Sequence, residues 1–142
     1  MPSVLQSAGG TAAERIDIRS DSDVVRVRQT VRALALKAAL SIVDQTKIVT
    51  AASELARNTL IHGGGGHAEL ELVTEHGRQG VRALFSDEGP GIPDIPRAMS
   101  GGFSTGGGLG LGLSGSRRLV DGFDLDTAAG RGTRVTVVKW TR

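Results

Sequence analysis

Two polar side chains in the segment ELARN, Glu54 and Asn58, have the residue types and the spacing that phosphate chemistry uses. Residues at i and i+4 share one face of a helix, so both side chains would point the same way. An amide oxygen can ligate a hard cation such as Mg²⁺, and a carboxylate can accept a proton or orient a nucleophile. The pair therefore predicts a Mg²⁺-phosphate site with a general base, although a solvent-exposed helix face has the same composition.

A second segment, DEGPGI, begins at Asp87 and directly follows an apolar run. A carboxylate at a strand end can accept a hydrogen bond from an exocyclic amine. Gly89 and Gly91 would allow the backbone to lie close to a flat base, because glycine has no side chain. The alternative interpretation is an ordinary strand-ending turn, which uses the same residue types.

A glycine-rich segment, GGGLGLGL, runs into a predicted helix. Unpaired backbone N–H groups at such a junction can bind an anion, and the helix dipole adds to the attraction, while the leucines would anchor the segment to the core. The residues assigned to this phosphate-binding loop are Gly106, Gly107, Gly108, Leu109, Gly110, Leu111 and Gly112. The segment is neither a Walker A motif nor a Rossmann fingerprint, and a flexible loop is the alternative.

Three other polar residues near these segments need an interpretation. Thr133 ends the segment GRGT, which predicts a hairpin turn and could place the threonine hydroxyl near Asp87. His62 and His67 flank a glycine turn. Both are interpreted as loop residues rather than metal ligands, because the chain has no cysteine and only one further histidine.

Strands and helices must position these segments, and hydrophobic periodicity predicts where they lie. Alternation of apolar and polar residues predicts strands in ERIDIRS, HAELELVTEHG and GVRALFSDEGPGI, and a hairpin in FDLDTAAGRGTRVTVVKW. Helical spacing predicts one helix capped by Ser22 or Asp23, a second over about Asp44 to Ile61, and a third in LGLSGSRRLVDGF. Strict alternation of strands and helices is missing, so the predicted fold is α+β, with helices on one face of a mixed, mostly antiparallel sheet.

The overall composition limits the class of protein. The 142 residues suit one domain, with residues 1–12 as a flexible tail and 13–142 as the folded unit. A formal net charge of only +2, with no basic cluster interleaved with aromatics, argues against nucleic-acid binding. With no cysteine, no leader pattern and no long apolar run, we expect a cytoplasmic protein without a membrane segment.

Taken in order, ELARN, DEGPG, GGGLGLGL and GRGT resemble the N box and the three glycine boxes of the GHKL ATPase superfamily. The resemblance implies the two-layer Bergerat sandwich and the binding of ATP with Mg²⁺. It implies that Glu54 is the general base, that Asn58 ligates Mg²⁺, and that Asp87 recognises the adenine amine with support from Thr133. The glycines that it assigns to the base and the phosphates are Gly89, Gly91, Gly108, Gly110 and Gly112.

Longer segments, such as SELARNTLIHGGGG and GFSTGGGLGLGL, resemble the small serine/threonine kinases of bacterial partner-switching systems, including the switch kinases of the stressosome. This resemblance implies phosphorylation of STAS-domain antagonist or scaffold proteins in a stress response. It also implies binding and activation of a PPM-type phosphatase. The alternative is an anti-sigma factor that sequesters a sigma factor. A histidine-kinase fragment is disfavoured, because the segment before the N box has no room for a dimerisation hairpin.

Two basic stretches lie outside the four boxes. Arg97, in IPDIPRAM, is the nearest basic candidate for a γ-phosphate contact, in competition with a role as a solvated surface arginine. The segment from Arg26 to Arg32 offers a helical surface that a partner could bind, although amphipathic helices usually turn one face to a core.

Overall fold

The computed structural model describes residues 13–91, 109–128 and 130–142, with the backbone alone for residues 109–112 and 128. The predicted tail, residues 1–12, lies outside this part of the chain, as do Arg97 and Gly106–Gly108. The described elements are β1 (Glu14–Ile18), α1 (Asp21–Lys37), α2 (Ile42–Ile61), β2 (Gly66–Glu75), β3 (Arg78–Asp87), α3 (Leu109–Leu119), β4 (Gly122–Ala128) and β5 (Gly132–Trp140).

Within the described residues, five strands form one sheet in the order β1-β2-β3-β5-β4. Every pairing in this sheet is antiparallel. The expectation of a mixed sheet is therefore wrong for these strands. The physical reason is the connectivity: β2 and β3 form one hairpin, β4 and β5 form another, and β5 pairs with β3 in the middle of the sheet.

One face of the sheet packs on α1 and α2, and the two-residue alternation of each strand decides which side chains reach that face. Ala83 and Phe85 of β3 reach it together with their cross-strand partners Val137 and Val135 of β5. The buried apolar residues of the two helices are Val24, Val27, Val31, Ala35, Ile48, Val49, Ala51, Ala52, Leu55 and Ala56. Helices on one face of an antiparallel sheet confirm the predicted α+β class.

Both long helices begin at a serine that precedes the predicted start. Helix α1 follows Ser20, and the Asp23 carboxylate accepts the backbone N–H groups of Arg19 and Ser20 at 2.9 and 3.2 Å. Helix α2 follows Ser41, whose hydroxyl accepts the backbone N–H of Asp44 at 3.1 Å. The predicted cap of α1 is wrong because Asp23 occupies the third helical position and supports the cap instead of forming it, and α2 begins two residues before its predicted start at Asp44.

The third helix is shifted towards the N-terminus relative to its prediction. It begins at Leu109, and it ends at Leu119 rather than near Phe123. The backbone N–H of Asp121 donates to the carbonyl of Val138 at 2.9 Å, so the chain has already joined the sheet there. Phe123 therefore belongs to β4, where it pairs with Val137 on the face towards the helices.

Candidate functional site

A cavity of about 140 Å³ opens between the second half of α2, the middle of the sheet and the start of α3. The residues that line it are Leu55, Asn58, Thr59, His62, Gly63, Phe85, Asp87, Pro90, Gly91, Leu113, Thr133 and Val135. Four of the predicted site residues, Asn58, Asp87, Gly91 and Thr133, therefore lie around one space, although 75 positions separate the first from the last in the sequence.

One face of α2 forms the first wall of the cavity. Leu55, Asn58, Thr59 and His62 recur at i, i+3, i+4 and i+7, the spacing of a single helix face. The Asn58 Nδ2 and His62 Nε2 atoms are buried, and neither has a hydrogen-bond partner in the described part of the chain. Because burial of an unsatisfied polar atom is costly, these two atoms are available for a polar ligand in the cavity.

The paired strands β3 and β5 form the second wall. Phe85 and Asp87 are two residues apart, so both face the helices. Their cross-strand partners, Val135 and Thr133, lie beside them on the same face. The wall thus combines an apolar surface with a carboxylate at its end, which suits a flat heterocycle carrying an amine.

Asp87 is a half-buried carboxylate held by backbone amides. Burial raises the pKa of Asp87 above its ordinary value of 3.8, and hydrogen bonds from the backbone N–H groups of Gly89 and Thr133 oppose the rise. The N–H of Gly89 donates to the Asp87 Oδ1 atom at 2.9 Å. These contacts fix the direction of the carboxylate, and they leave it able to accept a further donor from the cavity.

Close backbone approach at the end of β3 requires glycine at two positions. A Cβ atom on Gly89 would lie 2.8 Å from both the Cα and the carbonyl oxygen of Gly63, so these two chain segments touch through their backbones. A Cβ atom on Gly63 would lie 2.6 Å from the Asp87 Oδ2 atom. The glycines after α2 thus pack directly on the turn after β3. Gly91, with a φ of 76°, lies in the cavity lining itself.

The Thr133 hydroxyl lies in a small hydrogen-bond network at the same end of the sheet. It lies 2.9 Å from the Thr127 hydroxyl, which in turn donates to the carbonyl of Gly132 at 2.9 Å. The backbone N–H of Thr133 donates to the Asp87 carboxylate, and Thr133 lines the cavity beside Asp87.

Glu54 lies outside the cavity lining. It is exposed on α2, one helical turn before Asn58, and the two residues share a side of the helix. The structure thus places a carboxylate in solvent beside the cavity, where an incoming molecule could reach it.

The glycine-rich segment is only partly described. Residues Leu109 to Gly112 form the first turn of α3, so Leu109 and Gly110, which were expected in the loop before the helix, belong to the helix itself. The reason is packing: Leu113 is 1% exposed and belongs to the core, which brings the preceding turn into the helix beside the cavity. The first four N–H groups of a helix have no intrahelical acceptor, and its N-terminal end carries partial positive charge.

Sequence reasoning missed several residues of the lining. His62 caps α2 and lines the cavity, and His67 lies in β2, so the interpretation of His67 as a loop residue is wrong. The i, i+3, i+4, i+7 spacing that contains Asn58 could have identified His62. Phe85, two positions before Asp87 on one strand, carried a comparable signal.

This arrangement defines a class of protein: an α+β fold with a polar-ended cavity between a helix and an antiparallel sheet. Residues 43–141 match the family of histidine kinase-, DNA gyrase B- and HSP90-like ATPases, and the chain belongs to this family. The chain is similar to the serine/threonine-protein kinase RsbT of Bacillus subtilis (strain 168). The two are 45% identical over 127 residues, which cover 89% of this chain and 96% of the relative. The predicted family and enzyme class are thereby confirmed.

Among solved structures, the chain is similar to the histidine kinase domain of a blue-light activated histidine kinase from Erythrobacter litoralis, with a TM-score of 0.49 and 18% identity. The match covers 94% of this chain and 65% of the length of that domain. No helix in the described ranges has both the length and the apolar character that a membrane span needs.

Proposed function

We propose that this protein is an ATP-dependent serine/threonine kinase that transfers the γ-phosphoryl group from Mg-ATP to a STAS-domain protein. The observation that carries the proposal is the cavity in which Asn58 and Asp87 converge, with the Asn58 Nδ2 atom buried and without a partner in the described chain. An amide without a structural partner is consistent with a ligand-binding role.

Asp87 would select the base of the nucleotide. Its carboxylate accepts hydrogen bonds, so it favours adenine, which carries an exocyclic amine, over a base with a carbonyl at that position. Phe85 and Val135 supply the apolar surface on which the flat ring would lie. The fixed direction of the carboxylate supports this assignment, because the Gly89 N–H already occupies one of its oxygens.

Asn58 and the first turn of α3 would hold the metal and the phosphates. Mg²⁺ prefers oxygen ligands and usually combines one or two protein ligands with phosphate oxygens, so a single asparagine fits that role. The bound cation would supply charge neutralisation on the phosphates. The free N–H groups from Leu109 to Gly112 point along the helix axis at its N-terminus, where they could donate to phosphate oxygens.

Glu54 would act as the general base. Phosphoryl transfer demands little covalent chemistry from the protein, so positioning of the acceptor hydroxyl is the main task. The exposed Glu54 carboxylate would accept the proton of a substrate serine or threonine hydroxyl as the hydroxyl oxygen attacks the γ-phosphorus of ATP and the bond to the β-phosphate oxygen breaks, which releases ADP. Its place outside the cavity suits this role, because the acceptor arrives from a separate protein.

The partner assignments derive from the similarity to RsbT-type kinases. A STAS-domain antagonist or scaffold would be the substrate, and a PPM-type phosphatase would be bound and activated. A pull-down with the purified full chain tests the second assignment. Recovery of a sigma factor instead of a phosphatase would support the alternative, an anti-sigma factor.

The direct test is transfer of labelled γ-phosphate to a purified STAS protein encoded beside this chain. The wild-type chain should label the STAS protein. Asn58→Ala should abolish labelling, because the metal loses its protein ligand. Glu14→Gln is the matched control, since Glu14 is an exposed residue of β1 outside the cavity lining, and it should label at the wild-type rate. No labelling by the wild-type chain, with ATP bound, would contradict the kinase proposal.

A further inference from the structure

Three large apolar side chains are exposed where α1 ends and α2 begins. Leu36 is 62% exposed, Ile42 is 80% exposed and Val43 is 63% exposed. We call these three residues the α1–α2 patch. Clustered exposed apolar residues are typical of a surface that another molecule covers, whereas single ones need no explanation.

A groove runs beside this patch between the two helices. It is lined by Arg32 of α1 and by Ile42, Gln45, Thr46 and Val49 of α2, and it has a volume of about 210 Å³. The Gln45 side chain donates to the carbonyl of Leu40 at 2.9 Å, and the Thr46 hydroxyl donates to the carbonyl of Ile42 at 2.9 Å. With those polar groups already paired, the groove combines the apolar side chains of Ile42 and Val49 with the Arg32 cation at its edge.

The exposed surface from the middle of α1 to the middle of α2 is basic. Arg28, Arg32, Lys37 and Lys47 lie on the two helices, and none of them has an ion-pair partner among the described residues. The one acidic residue at the start of α2, Asp44, is buried and paired with Lys139 and Arg142. A partner that fits this surface carries carboxylates around an apolar side chain.

The patch also leads to the proposed catalytic carboxylate. Val43, Lys47, Thr50 and Glu54 recur at i, i+4, i+7 and i+11, so they form one stripe along α2. At 1.5 Å per residue, Val43 and Glu54 are about 16 Å apart along the helix axis. A folded domain of about 100 residues has a radius of gyration near 13 Å, so one such partner can cover both positions.

We propose that the α1–α2 patch and this stripe form the docking surface for the protein substrate of the phosphoryl transfer. The substrate places an apolar side chain in the groove and carboxylates near Arg32 and Lys47, which brings its hydroxyl to Glu54. This assignment rests on the proposed kinase function. The surface lies outside the nucleotide cavity, so docking and ATP binding are separable.

The test compares phosphorylation of the STAS protein by the full chain carrying Ile42→Glu or Arg32→Glu. Each variant should raise the KM for the STAS protein about tenfold or more, with kcat at saturation and the affinity for ATP unchanged. Ile42→Leu keeps an apolar side chain at this position, so its KM should equal that of the wild type. Arg118→Glu is the charge-matched control, because Arg118 is exposed in the last turn of α3, outside the patch, the groove and the stripe, and it should have no effect.

Several results would overturn the assignment. An unchanged KM in both variants would rule out the docking assignment, but it would not contradict the kinase function. An equal rise in KM for Arg118→Glu would show that the effect comes from overall charge. A wild-type dimer in sedimentation that Ile42→Glu converts to monomer, with KM unchanged, would assign the patch to a second copy of this chain. Absence of transfer by the wild-type chain would overturn the kinase function and the docking assignment together.

Discussion

At the scale of single residues, Asp87 illustrates how a binding function opposes stability. A charged carboxylate loses hydration when it is half-buried, and the raised pKa of Asp87 records that cost. Two backbone amides offset part of the cost, and the unfilled acceptor capacity faces the cavity. A carboxylate at such a position is explained by what it binds, since burial of an uncharged side chain would cost less free energy.

Asp87→Asn should therefore separate stability from nucleotide binding. The folded protein binds a proton at Asp87 more tightly than the unfolded chain, so the free energy of unfolding falls as the pH rises through the raised pKa. At pH 7 the nucleotide-free variant should be as stable as wild type or more stable, and its affinity for ATP should fall at least about tenfold. Urea unfolding and calorimetric titration measure the two quantities.

The pH dependence of the free energy of unfolding provides a check on the Asp87→Asn variant. The stability difference between Asp87→Asn and the wild type should shrink as the pH falls towards 3.8, because the wild-type carboxyl becomes neutral there as well. A variant that loses stability and ATP affinity together at pH 7 would indicate that Asp87 has a structural role instead.

At the scale of elements, the site depends on how closely the end of α2 approaches the turn after β3. The contact between Gly63 and Gly89 is backbone against backbone, and it holds Asp87 and the end of α2 in one arrangement. The sequence shows two glycine-rich turns, but it does not show that they touch, since the contact joins residues 26 positions apart through the pairing of β2 and β3.

Gly89→Ala tests that contact. The added Cβ atom would lie 2.8 Å from the backbone of Gly63, so the variant should lose about 1–3 kcal/mol of unfolding free energy and bind ATP more weakly. Gly115→Ala in α3 is the matched control, because nothing lies within 4 Å of its added Cβ atom. The control should gain about 0.5–1 kcal/mol. Equal effects of the two substitutions in thermal unfolding would argue against the close approach.

Element types were predictable where local periodicity is strong. Alternation in β2 and β3 and the apolar stripe of α1 indicated strand and helix correctly. Helix starts were not predictable, because serine and aspartate both cap helices and only the folded backbone decides between Ser20 and Asp23. The order of the strands in the sheet was out of reach, although a mostly antiparallel sheet was expected, since β3 and β5 pair across more than 40 positions of chain.

At the scale of the whole molecule, a buried ion cluster ties three parts of the chain together. The Lys139 Nζ atom, on a residue that is 2% exposed, lies 3.6 Å from the Asp44 Oδ1 atom and 3.4 Å from the Asp121 Oδ1 atom. The Asp121 Oδ2 atom also accepts the backbone N–H of Trp140 at 2.7 Å. The cluster joins the start of α2, the junction of α3 with β4, and the end of β5.

Lys139→Met should destabilise the protein by up to about 3–5 kcal/mol, because the buried Asp44 carboxylate then keeps only the exposed Arg142 as a cationic partner. The double variant Asp44→Leu with Lys139→Met should recover a substantial part of that loss, since it removes one uncompensated charge. Urea unfolding of the three proteins measures both effects. A double variant less stable than Lys139→Met would show that Asp44 contributes in another way, through Arg142.

The candidate site was predictable only in part, because residues from several separate elements form it. Motif spacing predicted Asn58, Asp87 and Thr133 as site residues, because each is a polar residue in a recognisable segment. The apolar walls from Leu55, Phe85, Leu113 and Val135 come from four different elements. Nothing in a linear pattern distinguishes these four residues from ordinary core, because only the assembled sheet and helices bring them around one cavity.

The measurement that tests the central claim most directly is single-turnover transfer by Glu54→Gln in a rapid-quench experiment. The variant removes the proposed base but leaves the cavity unchanged, so it should bind Mg-ATP within about twofold of wild type. Its rate of transfer to the STAS protein should fall about 10²–10⁴-fold. Transfer at the wild-type rate, with ATP bound normally, would contradict the assignment of Glu54 and the mechanism built on it.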